Sequence, residues 1–169
     1  TRGNGKVGED ITENIKVCKG IPKTIPTKKY LEVRGEMVIL KETFNKINEV
    51  EIQQGRKPFA NPRNLVSGTM RLLDPKLVKE REPMFYAYQI ANYNDFKNIK
   101  THIEAIDNLE ELGFITTGLF TVFDGKGKLK NIHKEIKAWE QDRALLPYDI
   151  DGMVIKLNEL TLYDTVGST

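Results

Sequence analysis

A chain of 169 residues with 39% hydrophobic and 30% charged side chains has the balance of a globular domain and not of a disordered segment, and a chain of this length buries roughly two-thirds of its unfolded surface. Its 26 basic and 24 acidic residues leave a net charge of +2, so binding to phosphate must come from individually placed cations and not from a broad basic field. The single cysteine, Cys18, leaves no disulfide within the chain and no Cys/His zinc pattern, which suits a reducing cytoplasm, and no apolar run approaches the roughly 20 residues of a membrane span.

The opening, Thr1 to Asp10, is polar with glycines at positions 3, 5 and 8; it has no apolar core of a signal peptide and reads as a turn between two elements. Its glycine spacing fits neither the P-loop nor the dinucleotide-fold fingerprint, so a hairpin loop is the plainer account than a phosphate cradle. Asp10 or Thr12 is placed to cap a short helix running through Cys18. From Tyr30 to Leu40, alternation puts Leu31, Val33, Met37 and Ile39 on one face and Glu32, Arg34, Glu36 and Val38 on the other, which predicts a strand with a charged face. Arg34 and Glu36 leave the same side. A carboxylate there can hold a ribose hydroxyl or a magnesium ion, and a plain salt bridge would give the same letters.

Phe44, Ile47 and Val50 follow at helical spacing, and Gly55 is placed as the left-handed residue that ends the helix. The loop Pro58 to Asn64 surrounds Arg63 with two asparagines and a proline, a composition that suits a rigid mount for the guanidinium. A short helix over Leu65 to Leu73, broken by Asp74-Pro75, sets Arg71 about two turns beyond Arg63. Both arginines then reach phosphates of one backbone, or both are simply surface residues beside a helix-starting proline.

Met84 to Ala91 is predicted as a strand with Tyr86, Tyr88 and Ile90 on one face. Tyr88 there either stacks on a base or packs in the core. Phe96, Ile99, Ile103, Ile106, Leu109 and Leu112 predict a helix that Gly113 stops. A strand near Leu119 to Phe123, a turn at Asp124-Gly125 and a second amphipathic helix with Leu129, Ile132, Ile136 and Trp139 come next.

The last predicted strand, Asp151 to Leu157, sets Met153, Ile155 and Leu157 against Gly152, Val154 and Lys156. Lys156 then ends a small-residue surface over which a ring or sugar can lie while the ammonium reaches phosphate; an edge strand ending in a solvated lysine fits the same letters. His102 and His133 have no cysteine or carboxylate in ligand spacing and read as ordinary surface or boundary residues. Strands that alternate in polarity among amphipathic helices predict an α+β fold of antiparallel sheets with flanking helices.

In this order the segments resemble the adenylation domain of bacterial-type NAD-dependent DNA ligases. The family's TRGDG loop and following GED are similar to Thr1-Arg2-Gly3-Asn4-Gly5 and Gly8-Glu9-Asp10, its VRGE strand to Val33-Arg34-Gly35-Glu36, and its FANPRN loop to Phe59 through Asn64. Gly68 and Arg71 match the next helix, and Leu146 through Gly152 with Val154-Ile155-Lys156 resembles LPYEIDGVVIK. The match runs over nearly the whole chain, and the FANPRN loop and the DGxVIK segment are its specific parts. Asn4 in place of an aspartate, Leu65-Val66-Ser67 in place of alanines and Met153 in place of a valine are departures. The FANPRN loop disfavours an ATP- or GTP-dependent relative such as an RNA ligase or capping enzyme. A KxDG motif upstream would set the chain apart from a non-catalytic relative that kept the fold to bind nucleic acid.

The resemblance implies that residues 1–169 are the larger, C-terminal part of an ATP-grasp-like nucleotidyltransferase (adenylation) domain. It implies NAD as the source of AMP, Mg2+ as cofactor, and nicked double-stranded DNA as partner of a monomeric, cytoplasmic, membrane-free enzyme that seals nicks in replication and repair. Glu36 would engage the AMP ribose or the metal region, Tyr88 would stack on adenine, and Lys156 would contact the AMP phosphate or its transition state. Arg63, Arg71 and Arg143 match arginines that contact adenylate and nicked-DNA phosphates, and Arg2 one beside the nucleotide pocket. The KxDG lysine that becomes adenylated is expected just before Thr1, with the segment recognising nicotinamide mononucleotide upstream of it and a strand with a last pocket lysine, then an OB-fold, beyond Thr169. The chain alone is therefore expected to be inactive.

Overall fold

The computed structural model describes residues 7–123 and 129–167. Arg2, with the first part of the glycine-bearing opening, and the Asp124-Gly125 turn lie outside the described residues. The alternating segments around Arg34 and Tyr88 form β1 (Val33–Val38) and β2 (Met84–Ile90), which pair antiparallel. With the helices around them they make a mixed architecture compatible with the expected α+β class, although the described residues hold one two-stranded sheet and not several.

The pairing depends on a glycine. Gly35 faces Ala87, and a Cβ at position 35 would lie 2.2 Å from Phe85 Cζ and 2.4 Å from the Tyr86 carbonyl oxygen. The Phe85 ring thus crosses the space that any side chain at position 35 would need.

Among the described residues the α-helices are α1 (Thr12–Ile15), α2 (Lys41–Gln53), α3 (Pro62–Thr69), α4 (Pro75–Glu80), α5 (His102–Glu111), α6 (Leu129–Asp142) and α7 (Tyr163–Val166). Gly55 takes φ +69° just past α2 and Gly113 φ +89° just past α5, the left-handed stops expected of both. The Asp10 carboxylate accepts from the Thr12 amide at 2.9 Å, but α1 ends at Ile15, short of Cys18. Buried Asn14 fastens it by donating to the carbonyls of Met70 at 3.0 Å and Leu72 at 2.8 Å.

Other helix boundaries also differ from expectation: α3 spans Pro62–Thr69 and not Leu65–Leu73, and two further differences have local reasons. The apolar spacing that starts at Phe96 extends upstream of α5, yet Thr101 and Glu104 form a reciprocal capping box that starts the helix at His102. Asp74-Pro75 ends one segment and also begins another. Asp74 accepts from the Lys76 amide at 2.9 Å and Pro75 fills the first helical position of α4, a helix absent from the periodicity reading.

The inner face of the ribbon joins two cores. Ala87, Ile90, Ile99, Ala105, Ile106, Leu109 and Leu160 form one, beneath α5. Ile39, Leu65, Val66, Met70 and Val78 form the other, between α3 and α4. Ile90 is 1% exposed and Tyr88 is 40% exposed, so the expected sharing of one face by Tyr86, Tyr88 and Ile90 is corrected. Arg34 faces Gln89 while Gly35 faces Ala87, which leaves Tyr88 as the extra residue of a β-bulge. A bulge breaks the period of two, sending Ile90 inward and Tyr88 outward.

The strands expected at Leu119–Phe123 and Asp151–Leu157 are not formed. Both segments run without a ladder, and Phe120, Val122, Val154 and Ile155 are exposed. Alternation states which face a strand would bury, but a strand also needs a neighbour for its N–H and C=O groups. Among the described residues neither segment has one; the nearest pairing is an isolated bridge between Thr101 and Glu159. Lys156 therefore stands on a segment without a ladder and not at the end of a smooth strand surface.

Candidate functional site

The outward face of the ribbon carries three of the residues singled out above. Glu36 on β1 lies directly opposite Tyr86 on β2, which places their side chains on one face. Among the described residues, Glu36 makes no side-chain hydrogen bond or ion pair. Arg34, two residues before it, pairs with Glu32 at 3.4 Å and not with Glu36, which leaves the Glu36 carboxylate available to a ligand.

Tyr88, turned out by the bulge, meets Lys156: the ammonium lies 4.9 Å from the centre of the tyrosine ring. That contact is a cation–π interaction worth about 0.5–1 kcal/mol at an exposed site. Two residues far apart in the chain are thus gathered at one spot. Desolvation holds the Lys156 ammonium below the ordinary lysine pKa. His102, the first residue of α5, is pushed down to about 4 by burial and, secondarily, by the Lys156 charge.

His102 therefore predicts a pH dependence. In the unfolded chain a histidine takes up a proton near pH 6.5, whereas the native group resists protonation until about 4. The unfolded state binds more protons across that window, so native stability falls as pH drops from about 6.5 toward about 4. Melting temperatures of the protein and its His102→Gln variant, taken from pH 7 to 4.5, should converge as pH falls. Parallel curves would exclude the effect.

The turn at 144–150 closes the other end of this face. Tyr148, 7% exposed, packs on Tyr86 with ring centres 5.0 Å apart. Lys41, the first residue of α2, donates from Nζ to the carbonyls of Leu146 at 2.8 Å and Ala144 at 3.3 Å and lies 3.7 Å from Asp149. Its amide donates to the Pro147 carbonyl at 2.8 Å. The turn so held also carries Arg143, whose guanidinium donates to the Ile150 carbonyl at 3.2 Å. The proline and aromatic residues of the turn were visible in the sequence; that Lys41 would serve its carbonyls was not.

Arg63 is the second residue of α3. Asn61 accepts from the Asn64 amide at 2.8 Å and Pro62 opens α3, a cap worth about 1 kcal/mol. Asn48 of α2 clamps the loop with two bonds to the Phe59 backbone, at 2.8 and 3.1 Å. The Arg63 guanidinium is exposed and pairs with Asp151 at 2.8 Å, and Arg71 pairs with Glu9 at 3.1 Å. Exposed pairs of this kind are worth about 0–1 kcal/mol, so a phosphate can compete for either arginine. The two arginines do not share a partner, and the structure gathers neither of them with Tyr88 and Lys156.

Among the described residues no group of three or more His, Cys, Asp or Glu side chains could hold a metal ion. Magnesium bound largely through substrate phosphates needs only one or two carboxylates, and Glu36 is a carboxylate of this face with no partner among the described residues. No helix among the described residues is long and apolar enough to cross a membrane.

The model of the NAD-dependent DNA ligase adenylation domain family matches residues 1–169. Proteins named DNA ligase from Fusobacterium nucleatum, Halothermothrix orenii and a Hydrogenobaculum species are 44% identical over 169 residues, 43% over 169 and 45% over 177. Each alignment takes in the whole of this chain and 24%, 24% and 25% of the respective relative. The chain thus spans about a quarter of the length of the curated relatives it matches. With the family model matching every residue from 1 to 169, the chain belongs to the NAD-dependent DNA ligase adenylation domain family.

Proposed function

We propose that the outward face of the β1–β2 ribbon is the AMP-binding surface of an NAD-dependent DNA ligase, and that residues 1–169 form the larger, C-terminal part of its ATP-grasp-like nucleotidyltransferase domain. The observation that carries this reading is the placement of the Lys156 ammonium over the Tyr88 ring, beside a Glu36 carboxylate with no partner among the described residues. An adenine ring has the same flat π-face that Tyr88 offers to Lys156, so adenine can replace the cation on the ring and free the ammonium for a phosphate. Glu36 then holds ribose hydroxyls.

In the reaction so assigned, a lysine amine attacks the AMP phosphorus of NAD, and nicotinamide mononucleotide leaves with the electrons of the broken P–O bond. AMP next passes to the 5'-phosphate of a nick in double-stranded DNA, and the 3'-hydroxyl displaces it as the phosphodiester forms. The chain contains no KxDG motif, so its residues bind and orient, and the nucleophile belongs to another part of the protein. Lys156 neutralises charge on the transferring phosphoryl group, and bound magnesium would supply further neutralisation there. Arg63, Arg71 and Arg143 take phosphates of adenylate and DNA in exchange for Asp151, Glu9 and a backbone carbonyl. Arg2 belongs beside the nucleotide. The whole protein is read as a monomeric, cytoplasmic enzyme of replication and repair.

Intact mass of the full-length protein after incubation with NAD or with ATP tests the assignment. An AMP adduct from NAD alone is expected, and an adduct from ATP alone contradicts it.

A further inference from the structure

Residues 152–157 have no ladder partner among those described, so the position of Lys156 is set from the ends of the segment. Upstream, the turn at 144–150 is held by Lys41, Tyr148 and Arg143, and the tie adjoining the segment itself is the Asp151–Arg63 pair, whose side chains are 86% and 78% exposed; such a pair contributes little. Downstream the chain is fastened firmly. The Asn158 carbonyl accepts from the His102 amide at 2.6 Å, and its side-chain oxygen accepts from the Ile103 amide at 3.2 Å. Tyr163 donates its hydroxyl to the Leu157 carbonyl at 3.0 Å, and the Leu160 amide reaches the Lys100 carbonyl at 2.9 Å.

His102 and Ile103 open α5, where amides have no acceptor within the helix. Thr101 takes the third such amide, that of Glu104, at 3.2 Å. Asn158 therefore completes the first turn of a helix whose other residues Ala105, Ile106 and Leu109 are buried in the core beneath β2. It is anchored to the same body that carries Tyr88. Lys156 is thus tied, two residues away, to the body that carries Tyr88.

We propose that Asn158 is a positioning residue for Lys156, holding the ammonium at Tyr88 by fastening the chain just downstream of it to the first turn of α5. The proposal rests on the reading of Lys156 as the cation that meets the AMP phosphate. Side-chain loss at Asn158 leaves Lys156 chemically intact and removes the one side-chain tie that fastens this segment to the first turn of α5, and a displacement of about 1 Å in a positioned group costs up to a hundredfold in rate.

The test uses single-turnover formation of the AMP adduct from NAD by the full-length protein. Asn158→Ala is expected to slow it about tenfold or more, and Asn158→Asp, which keeps an acceptor for the Ile103 amide, to restore the rate to within about twofold of wild type. Asn158→Gln, which keeps the amide but displaces it by one methylene, is expected to be slow and gives a second reading if the alanine variant does not fold. In a Lys156→Ala background, Asn158→Ala should cost less than about twofold further, because the group it positions is gone. Wild-type rates in the alanine or glutamine variant, or the same loss in both backgrounds, overturn the proposal. A wild-type protein that forms no adduct from NAD instead contradicts the functional reading itself.

Discussion

Replacing Lys156 by alanine in the full-length protein is expected to slow adduct formation from NAD by about a hundredfold or more, the cost of removing one preorganised charge from a developing anion. The side chain lies on the Tyr88 ring and makes no ion pair among the described residues, so its charge is free to serve a ligand. Desolvation, which lowers its pKa, also strengthens its attraction to a phosphate. The lost contact with Tyr88 is worth only about 0.5–1 kcal/mol, so the melting temperature should move by a few degrees at most. Single-turnover kinetics and thermal unfolding together separate the two effects. A rate within twofold of wild type would mean that Lys156 is a surface lysine resting on an aromatic ring.

The second large effect is on stability. Gly35→Ala places a methyl group 2.2 Å from Phe85 Cζ and 2.4 Å from the Tyr86 carbonyl oxygen, both well inside contact distance. Overpacking of this kind costs about 1–3 kcal/mol, or roughly 2–10 °C in melting temperature for a domain of this size. Because one clash is with backbone, shortening the ring does not relieve it: Gly35→Ala with Phe85→Leu should stay destabilised. Glu36 follows Gly35 directly, so separation of β1 from β2 also moves the proposed ribose contact. Thermal unfolding of both variants checks this. An unchanged midpoint for Gly35→Ala would mean that the strands part without cost.

The regular parts of this fold were legible in the sequence because each repeats a simple period. Alternation found β1 and β2, and three- and four-residue steps found α2, α5 and α6, with Gly55 and Gly113 marking two ends. The misses share a cause, which is that a period is local while its consequence depends on partners. Asp151 to Leu157 alternates as a strand should, but nothing described lies alongside it to complete a ladder. Ile90 was assigned to the wrong face because one extra residue at Tyr88 reverses the alternation beyond it. Arg34 had two acidic neighbours at equal spacing and took Glu32, a choice that spacing alone does not make.

The candidate site residues were named in the sequence by resemblance and not by a period. No pattern within the chain brings Tyr88 to Lys156; their contact is read from the structure alone. Residues that hold the site were harder to see. Lys41, Tyr148 and Asn158 act on backbone carbonyls, backbone amides or another ring, and such partners leave no mark in the spacing of side chains.

A structure of the full-length protein with AMP bound tests the central claim most directly. It should show adenine on the Tyr88 ring in the place the Lys156 ammonium now takes, the ribose hydroxyls within hydrogen-bond distance of Glu36, and the ammonium on the phosphate. AMP bound away from this face, with Lys156 still resting on Tyr88, would contradict it.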